Sequence, residues 1–289
     1  MKKIKNILYN IWRLIYPIVL YFVMVYIVQW VYGFCLAIIE GTNNKFELML
    51  LMNKHLMSMQ MTANLVSALI LWFFMHKDEK KRKMQENVTY SKPGVEIYLI
   101  TIILGFSAAV AGNGIIILSG IGKLFTKFNH IAQIMYSDSL LIQTLTLVFS
   151  APLLEEILIR GLIYKRLREH IPALASMIIS SVMFGVIHGN MLQFVYATAL
   201  GMIMAYIYEK SKTILMPILF HMGANAFTVL YTAFVPEEYV TMPIVIVITI
   251  IMTVVTVLLM RVFRHKSDSI KPMNKPVREE ETYGDIMGC

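Results

Sequence analysis

The sequence predicts an all-α polytopic membrane protein of about eight transmembrane helices with both termini cytoplasmic. Three observations carry that prediction. Of 289 residues, 57% are hydrophobic and only 15% are charged, with a mean hydropathy of +0.65. The few charges fall in clusters and leave apolar stretches about as long as a bilayer crossing. Basic clusters flank alternate stretches, the pattern of cytoplasmic anchors. A disordered, collagen-like or ordinary soluble globular chain is excluded by the same figures.

The elements follow in order. The first apolar run, 12–39, starts behind Lys2, Lys3 and Lys5 and is too long for a signal h-region, so it reads as a retained span. Run 56–75 returns to the basic stretch 77–83, and run 96–118 leads out to a loop holding Lys123, Lys127 and Asp138. Run 140–164 comes back to Lys165, Arg166 and Arg168. Pro172 opens run 173–188, and run 191–208 ends beside Lys210 and Lys212. Runs 214–234 and 240–260 complete the count of eight, the last stopping at Arg261. Residues 1–264 read as a single membrane domain, because no polar segment is long enough to bury a second core. The polar tail 265–289, with Pro272, Pro276 and three successive Glu, reads as disordered.

Several function classes drop out. The net charge of +8 does not lie on one soluble face, so it points to membrane lipid as a partner and not to nucleic acid. Cys35 and Cys289 make neither a disulfide framework nor a metal knuckle. The Met-rich stretch around Met52, Met57 and Met59 lacks the Cys or clustered His of a copper site and reads as packing. Ser150 lacks a nucleophile-elbow context.

Ionisable groups inside the apolar runs carry the chemistry, since a charge near the bilayer centre costs about 3 kcal/mol on insertion scales and normally faces protein or water. Three groups qualify. Glu155 and Glu156 follow Pro152; Glu156 and Arg160 share a helical face at i and i+4, while Glu155 points roughly 100° away. This suggests that Glu156 pairs with Arg160 and that Glu155 stays free to move a proton. Phe184 and His188 lie one turn apart beside the small residues Ser180, Ser181, Gly185 and Gly189. His221 and Asn225 repeat the i, i+4 spacing after Pro217. At a rise of about 1.5 Å per residue, His221 lies about 11 Å into its run and Glu155 about 14 Å into its own from the same side, so the two can meet. A metal, an oxyanion or simple helix-to-helix bonding would each suit His221 and Asn225.

Glu155-Glu156-x-x-x-Arg160, Phe184-x-x-x-His188 and His221-x-x-x-Asn225 together resemble the three motifs of the CPBP family, which comprises the CAAX prenyl endopeptidases with bacterial Abi and bacteriocin-immunity relatives. The resemblance covers about 140–234. It implies intramembrane proteolysis of a membrane-associated protein or peptide, in a cavity open toward the cytoplasm, by a multi-pass protein of a bacterial plasma membrane. It implies that Glu155, with His188, activates a water, and that His221 and Asn225 polarise the scissile carbonyl, with Glu156, Arg160 and Phe184 in support. The family is described both as glutamate-dependent and as metalloproteases; Glu155, His188 and His221 would form the three-ligand zinc site of the second kind. No H-E-x-x-H helix demands zinc here.

Two other classes stay open on the residues alone. One is a non-catalytic immunity or scaffold protein whose polar groups only hold helices together. The other is a proton-coupled transporter using Glu155 and Glu156, against which stands the lack of mirrored halves.

Overall fold

The computed structural model describes residues 2–86, 89–121 and 138–273. Among these lie nine helices: α1 (Lys2–Ile39), α2 (Lys45–Lys54), α3 (Leu56–Glu86), α4 (Val95–Ser119), α5 (Leu140–Arg168), α6 (Ala173–Val186), α7 (Met191–Ser211), α8 (Leu215–Phe234) and α9 (Met242–Ser267). All except α2 and α6 are long and apolar enough to cross a membrane, and no strand occurs among the described residues. The protein is an all-α multi-pass membrane protein.

Two helices depart from the eight-run expectation. α2 is an addition, started by Asn44, whose side chain accepts from the Phe46 amide at 2.9 Å, and it buries none of its residues. α6 has 14 residues, about 21 Å of rise against a hydrocarbon core of about 30 Å. It stops at Val186, and His188 falls in the turn beyond, closed by Gly189 at φ 71°. The tail boundary also moves. Helix α9 continues through His265 to Ser267, and the Met273 amide donates to the Thr89 carbonyl at 2.7 Å, so 265–273 is ordered. Residues 274–289, and the loop positions Lys123 and Lys127, lie outside the described residues.

Helix α5 is the axis of the bundle. Its residues Ile157–Tyr164 are all buried, and they wind as a π-helix, as do Thr144–Ser150; the α-helical turn Ala151–Glu156 sits between. Such widened turns are poorer in hydrogen-bond geometry and tend to occur at functional sites. Here they bracket the two adjacent glutamates.

Helices α4 and α8 cross in contact, backbone to backbone. A methyl group at Gly105 would strike the Phe220 carbonyl, and one at Gly223 would strike the Ile102 carbonyl. Small residues permit this approach where no hydrophobic force drives helices together in lipid. The crossing brackets His221 between Phe220 and Gly223, fixing its depth.

The two ends of the bundle differ in charge. At one end Arg166 donates to Asp78 (2.7 Å) and to the hydroxyl of Tyr16 (2.6 Å), and Arg82 pairs with Glu169 (3.1 Å). Arg13 pairs with Glu169 and Asp78, which ties α1, α3 and α5 together at that end. Lys266 meets Glu96 at 3.3 Å, setting the C-terminal end of α9 beside the start of α4. Burial pushes the Glu169 carboxyl up, but hydrogen bonds and charge from Arg13 and Arg82 outweigh it and hold the group below the ordinary carboxylate value.

Candidate functional site

The fully buried carboxylate of Glu156 accepts from Arg160 Nη1 at 3.0 Å. Arg160 is itself fully buried, donates through Nη2 to the Gly201 carbonyl at 3.0 Å, and lays its guanidinium over the Phe184 ring, 4.7 Å from the centroid. Taking both charges out of water is costly, and it is offset only because cation, carboxylate and ring meet in one geometry. The expected Glu156–Arg160 pair is present, but Glu156 does more. The same oxygen, Oε1, lies 2.9 Å from His221 Nδ1. A carboxylate paired with arginine accepts, so Nδ1 is the donor, and Nε2 is turned the other way.

His221 Nε2 lies 3.7 Å from Glu155 Oε2, too long for a direct hydrogen bond and short enough for both atoms to hold one water or one substrate oxygen. The Glu155 side chain is 25% exposed, against none for Glu156. The roughly 100° step between the neighbours therefore separates a structural carboxylate from an accessible one. Both arrive through α5, and His221 through α8.

His188 and Asn225 complete the wall. Helix α6 ends before the Phe184 carbonyl finds an amide partner four residues on, and His188 Nδ1 donates to it at 2.7 Å, leaving Nε2 unengaged there. The Phe184 ring meets both imidazoles edge-on, at 4.8 Å from His188 and 5.6 Å from His221. Asn225 donates through Nδ2 to the Leu147 carbonyl in the first π-helical turn at 2.8 Å. That bond leaves the second N–H and the amide oxygen of Asn225 to a ligand. Glu155, His188, His221 and Asn225 all line a single cavity of about 590 Å³, together with Phe184, Phe220 and Tyr196.

Sequence reading missed three contributors. The Leu147 and Gly201 carbonyls are backbone atoms, for which no side-chain letter speaks. Asn113 lines the cavity and donates to the Tyr196 hydroxyl at 3.1 Å. As an amide inside an apolar run it carried the signal.

The zinc arrangement fits poorly. Among the described residues no group of three or more His, Cys, Asp or Glu gathers closely enough to hold a metal ion. Nδ1 of each histidine is engaged, one by Glu156 and one by the Phe184 backbone, so Nε2 is the nitrogen left to each.

The cavity runs from Glu155 and Phe220 toward Gly120, Gln193 and Met242, at the end of the bundle opposite the basic clusters. The resemblance implies a cavity open toward the cytoplasm.

A multi-pass helical protein with an acid and two imidazoles around one buried cavity is the class that fold and site define. Residues 137–227 match the family model described as Type II CAAX prenyl endopeptidase Rce1-like, a stretch that holds all three motifs. Over those residues the chain is similar to that family. It is also 32% identical over 125 residues to the Bacillus subtilis (strain 168) protein named "Putative membrane peptidase YdiL". That alignment covers 43% of this chain and 50% of the relative, so the chain spans about half the length of the curated relative it matches. No solved structure matches.

Proposed function

We propose that the chain is an intramembrane endopeptidase that hydrolyses a peptide bond of a membrane-associated protein or peptide, with Glu155 as general base. The observation that carries this is the 3.7 Å separation of Glu155 Oε2 from His221 Nε2 inside a cavity that His188 and Asn225 also line.

Glu155 takes one proton from a water, and His188 Nε2 accepts a hydrogen bond from the O–H that the oxygen keeps, which orients it. The oxygen attacks the scissile carbonyl carbon, and the C=O pair moves onto oxygen. That oxyanion receives the free Asn225 N–H and, with a proton on Nε2, His221, which Glu156 holds in register through Nδ1. The carboxylic acid of Glu155 then returns its proton to the amide nitrogen as the C–N bond breaks, releasing an amine and a carboxylic acid. Arg160 holds the Glu156 carboxylate in place, and Glu156 Oε1 in turn holds His221 Nδ1.

The test is a purified, folded Glu155→Gln protein assayed on peptides recovered by comparing membrane peptidomes of cells that make wild-type or variant chain. Hydrolysis is expected to fall by about two to four decades, the usual range for a positioned base. A folded variant cleaving at the wild-type rate defeats the reading; if it also still protected cells against a bacteriocin, the non-catalytic binder would take its place. The mechanism uses no metal, so chelation before the assay is expected to leave the wild-type rate unchanged, and loss restored by zinc would overturn that part.

A further inference from the structure

We infer that the catalytic cavity is entered from the outer side of the membrane, and that it takes an apolar peptide segment delivered from that side. The substrate half rests on the peptidase reading; the access half does not.

Charge fixes the two faces. The basic runs at 77–83, 165–168 and 261–266 all lie at one end of the bundle, joined there by the Arg13, Arg166 and Lys266 contacts. At the other end the described connections hold Glu40, Glu47, Asp138, Glu237 and Glu238 against Lys45 and Lys54, with Lys123 and Lys127 in the stretch beyond α4. Short connections rich in Lys and Arg stay cytoplasmic. The asymmetry is steep enough to orient the bundle with the acidic end outside.

The cavity belongs to the acidic end. Ile117 and Gly120 close α4, and Met242 opens α9, and all three line it. Toward the basic end Leu104, Ile207, Met216, Phe220 and Phe263, side chains with no exposure, belong to one packed core. A separate cleft of about 720 Å³ opens at the basic end, lined by residues such as Arg82, Lys92 and Lys212, and it shares no lining residue with the catalytic cavity. A peptide arriving from the cytoplasm would meet that cleft and then the packed core. Among the described residues that line the catalytic cavity Glu155 is the sole carboxylate and there is no Lys or Arg, so the groove suits a segment with uncharged, mainly apolar side chains.

The access half is tested with Cys35→Ser and Cys289→Ser as background, adding Ile117→Cys at the mouth or Lys92→Cys at the basic cleft. Sealed cells are treated with a membrane-impermeant charged maleimide. Ile117→Cys is expected to label in sealed cells, and Lys92→Cys only after permeabilisation. Met242→Cys samples the same mouth should Ile117→Cys misfold. The reverse pattern, or equal labelling of both sites in sealed cells, overturns the proposal. For the substrate half, apolar peptides capped with charged groups that prevent crossing are given to sealed cells and to inverted vesicles. Fragments that depend on Glu155 are expected from sealed cells, and fragments from inverted vesicles alone overturn it. Cleavage from neither side would defeat the peptidase reading, and the labelling pattern decides access independently.

Discussion

Helices α5 and α9 are opposites in a way that water-soluble proteins do not allow. The most apolar window, in α9, has a mean hydropathy of 2.8 and is 11% buried, whereas the α5 window scores 1.5 and is 56% buried. In water the apolar helix would be the core. In lipid the surroundings are as apolar as leucine, so α9 gains nothing by hiding, and its isoleucines and valines face the tails. The costly groups, Glu155, Glu156 and Arg160, must instead find protein, and they draw α5 to the centre. Hydropathy in such a chain reports exposure to lipid, and the polar residues that interrupt it mark the interior.

That comparison can be broken at both helices. The largest effect is expected in α5 at Glu155, where the glutamine variant loses decades of activity with its fold intact. Next comes Arg160→Met, which leaves the Glu156 carboxylate buried without its cation; a loss of about 3 to 5 kcal/mol is expected. Thermal unfolding in detergent reads it, and a variant as stable as wild type would mean that the pair is not what centres α5. A matched truncation then sets core against rim. Leu158→Ala in α5, at 1% exposure, is expected to cost about 2 to 5 kcal/mol. Ile250→Ala on the lipid face of α9, at 60% exposure, should cost about 0.5 kcal/mol or less. Equal losses would contradict the contrast.

The smallest effect lies outside the bilayer. Arg13 and Arg82 hold the Glu169 carboxyl below its ordinary value in the folded protein, so its contribution to stability is complete above the unfolded value. As pH falls through the depressed folded value, that contribution is lost. Melting curves across the carboxylate range should show a modest acid-side decline that a Glu169→Gln variant lacks, since the group is a quarter exposed and solvent screens it. An unchanged decline in the variant would assign it elsewhere.

Much of the site was legible because its letters are improbable in lipid. The i, i+4 pairs Glu156 with Arg160 and His221 with Asn225, and the step that frees Glu155, follow from helical geometry alone. The depth argument that Glu155 and His221 can meet holds at 3.7 Å. The grip of Glu156 on His221 was not legible, because a sequence gives spacing within one helix and not the rotation of its neighbour. The π-helical turns that shift α5 around its glutamates carry no distinct sequence signature, nor does the carbonyl of Leu147. The run 173–188 extends past the early stop of α6, because His188 lies one helical turn after Phe184 in sequence while its side chain caps the helix end.

By itself the sequence determined the solvent, seven of the eight expected spans and the residues able to do chemistry, because transfer into lipid is a sum over residues and helix periodicity is local. Only the tertiary structure decided which carboxylate is dry and which is wet, which nitrogen of His221 is held, and at which end the cavity opens. Those depend on the close crossing of α4 with α8 and on the packed core beneath, contacts between segments distant in the chain that no local rule encodes.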